Sequence, residues 1–187
     1  MKADLDAKVS ALKDLPSGTS ILSSLTFVNE GIIQSIIHSF KYEEMPRLAK
    51  ILGASVSSQI SLTHERYDYL VPIPLHRTRL NERGYNQSEM VAQGMSRSLE
   101  VPVAMRGRLK RIRQTPSQTG LNIDEREANV RGAFGLSEKG RKEFQGKRLL
   151  IIDDVMTTGA TLASAARTIM TANPQKIDLY ALATVID

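Results

Sequence analysis

The apolar positions of this chain change their period near residue 67. Before that point they follow a helical spacing. Ile32, Ile33, Ile36, Ile37 and Phe40 form one apolar face and predict an amphipathic helix. Pro46 suits the first turn of a second helix, which carries Leu48, Ile51, Leu52 and Val56. A weaker pattern of Leu5, Val9 and Leu12 runs over Asp4 to Leu15 and stops at the turn signal Pro16-Ser17-Gly18. Residues 1–66 are therefore expected to form an α-rich N-terminal segment.

From Tyr67 onward, short apolar runs alternate with helical patterns. Tyr69 to Pro74 predicts a buried strand that prolines turn into a loop. Asn86 to Leu99 predicts a helix with Asn86 as its N-cap and Met90, Val91 and Met95 facing inward. Val101 to Leu109 predicts a strand, and the polar stretch Arg113 to Asn122, with Pro116 and Gly120, a long loop. Arg148 to Ile152 predicts a strand, Ala160 to Thr171 a helix, and Ile177 to Ile186 a closing strand. Strands alternating with helices predict an α/β core over 67–187, with a doubly wound, mostly parallel sheet flanked by helices.

Composition narrows the function classes. The 187 residues suffice for one good core but not for two full domains. No run of 18 or more apolar residues occurs, so no membrane span is expected, and the first 20 residues lack the apolar stretch of a secretory signal. The chain has no cysteine, which excludes disulfides, thiol catalysis and Cys-ligated zinc and makes the expected compartment cytoplasmic. Between His76 and Arg131, eleven Lys and Arg face six Asp and Glu, so the middle third holds the whole net charge of +5. Such a localised field favours a polyanion, whether a pyrophosphate or a nucleic-acid backbone.

The strongest chemistry lies between Arg148 and Thr161. An apolar strand ends in two adjacent carboxylates, Asp153 and Asp154, and Thr157-Thr158-Gly159-Ala160-Thr161 follows at the start of a helix. Backbone amides, three hydroxyls and a helix N-terminus suit a phosphate dianion, and Gly159 lets it approach the backbone closely. Carboxylates would repel a phosphate that touched them, so they fit instead as acceptors for sugar hydroxyls nearby. An Asp-Asp turn followed by a capping threonine needs no ligand. The two features together, after a strand and before a helix, favour one. His38, His64 and His76 have no metal-site spacing, and only His76 stands near this chemistry.

This motif resembles the donor-binding loop of the type I phosphoribosyltransferases. The resemblance implies that fold, with a small α-rich N-terminal hood over the parallel sheet. It implies that Asp153 and Asp154 bind the ribose 2′- and 3′-hydroxyls, and that Thr157, Thr158, Gly159, Ala160 and Thr161 wrap the 5-phosphate. It also implies a pyrophosphate loop after the first core strand, here Pro74, Leu75 and His76 with Arg77 and Arg79. One position departs: purine-salvage members often carry an aspartate first in the phosphate loop, where this chain has Thr157, which is no useful base at neutral pH.

Further segments narrow the resemblance to the ComF-type, amidophosphoribosyltransferase-like family. They are Phe40-Lys41-Tyr42, Pro72-Ile73-Pro74-Leu75-His76, residues 79–87, residues 111–121, Glu125-Arg126 and residues 129–134. The likeness covers roughly residues 25–187. It implies a mobile flap at about 111–125, with Arg111, Arg113 and Gln118 closing over the substrate. Many such proteins begin with a four-cysteine zinc ribbon, which is missing from this sequence.

The expected function is therefore binding of magnesium–phosphoribosyl pyrophosphate and transfer of the phosphoribosyl group to an unidentified nitrogen acceptor. The ligand's phosphates would hold the magnesium, with no dedicated protein metal site. Because the ComF family is associated with DNA uptake, the alternatives are a protein that binds single-stranded DNA and a regulator that senses the donor without turning it over. A homodimer is also expected from relatives.

Overall fold

Alternating apolar side chains on the two central buried strands organise the molecule around both faces of a sheet. The computed structural model describes residues 15, 18–28, 46–61, 66–114 and 128–186. In chain order the strands are β1 (Ile21–Val28), β2 (Tyr69–Pro72), β3 (Leu109–Arg111), β4 (Phe134–Leu136), β5 (Arg148–Met156) and β6 (Lys176–Ile186). The helices are α1 (Pro46–Ser61), α2 (Arg77–Arg83), α3 (Gln87–Leu99), α4 (Glu138–Phe144) and α5 (Ala160–Met170). Four strands form a sheet in the order β1-β6-β5-β2, every pair parallel. A single parallel bridge, Leu70 to Val103, extends it past β2.

On β5, Leu149 and Ile151 enter one apolar cluster with Phe144, Leu162 and Ile169. Leu150 and Ile152 enter the opposite cluster with Val91, Met95 and Tyr180. A strand buried on both faces reads as a continuous apolar run, as the centre of a parallel α/β sheet requires. On the second face, α1 crosses α3 through two glycines. A Cβ on Gly53 would stand 2.3 Å from the Val91 carbonyl oxygen, and one on Gly94 only 2.0 Å from that of Lys50.

The parallel sheet flanked by helices is as expected, and Pro46 does open α1. Three expectations about elements differ from the structure. The N-terminal segment is not only helical: β1 joins the core sheet beside β6, from Ile21 opposite Leu179 to Val28 opposite Ile186. The strand expected over Val101–Leu109 shrinks to the bridge at Val103, because Pro102 has no N–H to give a ladder and a turn at Arg106-Gly107 breaks the run. The strand expected to end at Ile152 runs on to Met156, because β6 supplies partners as far as Thr184. The helices expected over residues 4–14 and 32–40 lie outside the described residues.

The short antiparallel pair β3–β4 forms the root of the segment expected to be a flap. Its residues 115–127, Gln118 among them, lie outside the described residues.

Candidate functional site

Asp153 and Asp154 stand near the carboxyl end of β5, where ligands of open parallel sheets bind. Asp153 is buried, and its Oδ1 accepts hydrogen bonds from the Ser88 hydroxyl and the Asp154 N–H, both at 3.0 Å. The same hydroxyl lies 3.5 Å from Asp154 Oδ1, so one serine on α3 addresses both carboxylates. Burial is the largest influence on Asp153 and pushes its carboxyl well above the ordinary range. The charge and hydrogen bond of Asp154 push the same way, while Ser88 and the Asp154 N–H pull it back in part. Asp153 held this way favours keeping its proton. Vicinal hydroxyls donating to it would draw it towards ionisation.

Beyond Met156 the chain turns through Thr157, Thr158 and Gly159 into α5. Gly159 has φ 77°, a left-handed conformation that side chains rarely adopt. Its carbonyl accepts the Ala163 N–H at 2.9 Å, and the Ala160 N–H reaches Thr158 Oγ1 at 3.5 Å. A cavity of about 30 Å³ opens there, lined by Asp153, Thr157, Gly159, Ala160 and Thr161 together with Val155, Met156 and Leu162. The first turn of α5 carries no acidic side chain, so its amides and dipole favour an anion at this end.

The basic half is built from two other elements. Pro74, Leu75 and His76 leave β2, and the Ile73 N–H bonds to the Ile152 carbonyl at 2.8 Å, tying this loop to β5. His76 turns out to cap α2: its Nδ1 accepts the Thr78 N–H at 3.4 Å, with Arg77 and Arg79 following on that helix. Arg111 on β3 lies with its guanidinium 5.4 Å from the centre of the Phe134 ring. Burial chiefly lowers the Arg111 pKa; the negative charge of Asp153 raises it, and Arg79 and Arg113 lower it further. Arg79, Arg113 and Asp153 are thus each within electrostatic reach of Arg111, although 74 positions separate the first of them from the last.

Arg113 has other partners as well. Its guanidinium donates to the carbonyls of Asn129 and Arg131, at 2.8 and 2.7 Å, and so clasps the chain where the long loop returns. Asn86 holds the N-cap position of α3 but makes no side-chain cap. Its Nδ2 donates instead to the Ile73 carbonyl at 2.9 Å, a buried acceptor at the end of β2. Ser88 escaped the sequence reading altogether. Its only signal is a place in the first turn of α3, and no local spacing rule joins it to carboxylates 65 positions away.

The matching family model makes the class explicit: the chain belongs to the phosphoribosyl transferase domain family, which it matches over residues 86–187. Its relatives make it a ComF-type member. It is 31% identical over 154 residues to Competence protein F of Haemophilus influenzae, covering 79% of this chain and 66% of that protein. It is 28% identical to DNA utilization protein YhgH of Escherichia coli, over 80% of this chain and 66% of the relative. It is 26% identical to Competence protein ComFC of Bacillus subtilis, over 74% and 54%. The chain thus spans somewhat under two thirds of the length of these relatives. The solved structure of the allosteric regulatory enzyme of purine biosynthesis aligns at a TM-score of 0.46 and 18% identity, over 71% of this chain and 25% of that one.

Proposed function

We propose that this chain binds magnesium–phosphoribosyl pyrophosphate and transfers the phosphoribosyl group to a nitrogen nucleophile. One observation carries the reading: Asp153 lines a single cavity with Thr157, Gly159, Ala160 and Thr161 of the loop, at the end of β5 and the start of α5. The carboxylates of Asp153 and Asp154 accept the two ribose hydroxyls, and the loop amides and threonine hydroxyls hold the 5-phosphate. Magnesium arrives on the pyrophosphate oxygens as part of the donor.

In the reaction the bond from C1 to the pyrophosphate oxygen breaks, and its electron pair leaves with the pyrophosphate. The nitrogen lone pair forms the new bond to C1, and the nitrogen's proton passes to water or to a pyrophosphate oxygen, since Thr157 is no base. Arg77, Arg79 and Arg111 stabilise the departing charge, and fixing both reactants removes much of the entropic barrier.

Calorimetric titration with magnesium–phosphoribosyl pyrophosphate tests the binding. Losing two charge-assisted acceptors at about 1.5–3 kcal/mol each predicts an affinity at least about a hundredfold weaker in an Asp153→Ala/Asp154→Ala double variant. No binding by wild type, or equal binding by the variant, would end the proposal. Pyrophosphate release measured across nucleobases, ammonia and small amines then separates a transferase from a protein that only senses the donor.

The relatives' names, which speak of competence and DNA utilization, favour a second reading in which the chain meets DNA, taken here as single-stranded. Arg97, Lys110 and Arg131 are exposed and could meet phosphates. Against it, Phe134 is buried and Tyr85 half-buried, which leaves no stacking platform among the described residues of the basic third. A salt-sensitive mobility shift with oligonucleotides would support this reading.

A further inference from the structure

Three consecutive buried residues, Asn86, Gln87 and Ser88, join the two halves of the site across the start of α3. Asn86 donates through Nδ2 to the Ile73 carbonyl at 2.9 Å, just ahead of Pro74 in the proline-rich loop. Gln87 Oε1 accepts from the Arg83 guanidinium of α2 at 3.4 Å. Ser88 meets the carboxylates of β5. The turn is thus anchored to β2 and to α2, and the close crossing of α1 at Gly94 holds the helix behind it.

Ser88 is therefore a fixed donor, and its geometry restricts how the acidic pair can present itself. Its hydroxyl has one proton and two acceptors in reach, Asp153 Oδ1 at 3.0 Å and Asp154 Oδ1 at 3.5 Å. Asp153 Oδ1 also takes the Asp154 N–H at 3.0 Å, so both of its lone pairs are engaged. A ligand hydroxyl must then be met by the other oxygen of Asp153, whose place the planar carboxyl group fixes once Oδ1 is held. The terminal torsion of an aspartate is broad and roughly two-fold, so without the serine the carboxyl plane turns more freely. A donor to the charged form also favours the ionised carboxylate that accepts a hydroxyl. Ser88 does not itself line the cavity beside Asp153, so it acts on a ligand through the carboxylates.

We propose that Ser88 is the positioning residue through which this site tells a ribose phosphate from a 2-deoxyribose phosphate. The proposal rests on the donor reading and deepens it. Held by one serine, Asp153 and Asp154 present their free oxygens in a fixed relation, which matches two vicinal hydroxyls. A sugar without the 2-hydroxyl leaves one of those oxygens desolvated and unmet. With the serine proton gone the pair is no longer set for the diol, and the missing hydroxyl costs less. The 5-phosphate stays with the loop from Thr157 to Thr161 in either case.

Ligand-observed NMR titrations of the full chain with ribose 5-phosphate, 2-deoxyribose 5-phosphate and inorganic phosphate test it. A hydroxyl donating to a buried carboxylate is worth about tenfold or more, so wild type should prefer ribose 5-phosphate over the deoxy sugar by that factor. Ser88→Ala should cut the preference to about twofold, and Ser88→Cys, close in size but a weak donor, should do the same. Affinity for inorganic phosphate should stay within about twofold of wild type in both variants, as an intact loop requires. A preference that survives Ser88→Ala would overturn the proposal. So would one kept by Ser88→Cys, since the volume of the side chain rather than its proton would then be responsible. Equal losses for all three ligands would overturn it too, because they mark a general disturbance of the fold. Wild type that binds ribose 5-phosphate without preferring it removes this proposal alone. Wild type that binds neither sugar phosphate removes the donor reading with it.

Discussion

Replacing Asp153 with asparagine should stabilise the protein while damaging its site. The buried carboxyl stands beside a second carboxyl, and burial and that neighbour raise its pKa well above the ordinary value. An asparagine oxygen can still accept from the Ser88 hydroxyl and the Asp154 N–H, both at 3.0 Å, while its NH₂ can donate to Asp154. What disappears is the cost of keeping a buried acid against its ionisation, about 1–3 kcal/mol for a group of this kind. In a chain of this size that corresponds to roughly 3–10 °C in melting temperature. The sign with pH is fixed. A group whose folded pKa lies above its unfolded value contributes its full stability below the unfolded pKa and loses it as pH rises through the folded pKa. The variant lacks this loss, so its advantage should be small at about pH 4 and grow towards pH 8. Thermal melts followed by circular dichroism across that interval measure the difference. An advantage that is constant with pH, or a variant less stable at pH 8, would refute the reasoning.

Two further perturbations probe the frame that holds the site. Asp178 is fully buried and accepts from the Ser20 N–H at 2.7 Å, the Tyr67 hydroxyl at 2.9 Å and Lys176 at 3.2 Å. Asp178→Ala strands these donors at the amino-terminal end of the sheet and should cost about 3–5 kcal/mol in urea unfolding. Tyr67→Phe should cost only about 1–2 kcal/mol. Gly94→Ala drives a Cβ into the Lys50 carbonyl oxygen and should cost about 1–3 kcal/mol. Hydrogen exchange should then quicken in α1 and α3 while β5 keeps its protection; uniform loss of protection would contradict a local wedge.

What the sequence reveals here depends on how local each feature is. The acidic pair and its loop occupy one continuous run from Asp153 to Thr161, so strand, carboxylates, glycine and helix start can be read together. Ser88 and Arg111 reach the same place from distant elements, and only the fold brings them to Asp153. β1 is hard to see because Ser23 and Ser24 interrupt its apolar run. Their hydroxyls meet Thr184 and Tyr180 of β6, both at 2.7 Å, and burial raises the Tyr180 pKa to about 12. Asn86 has the residue type of an N-cap and stands at that position, yet a buried carbonyl of β2 claims its side-chain amide. Local propensity identified the place of that residue, and tertiary hydrogen bonding decided its role.

The central claim is that the donor's 5-phosphate sits in the loop that follows Asp153 and Asp154. Phosphorus NMR of magnesium–phosphoribosyl pyrophosphate tests it directly, since the 5-phosphate and pyrophosphate resonances are observed separately. Adding wild type should shift or broaden all of them. Gly159→Val, which forces a branched side chain onto a backbone at φ 77°, should leave the 5-phosphate resonance as in free solution. Resonances that ignore wild-type protein, or a 5-phosphate signal that responds equally to both proteins, would contradict the account.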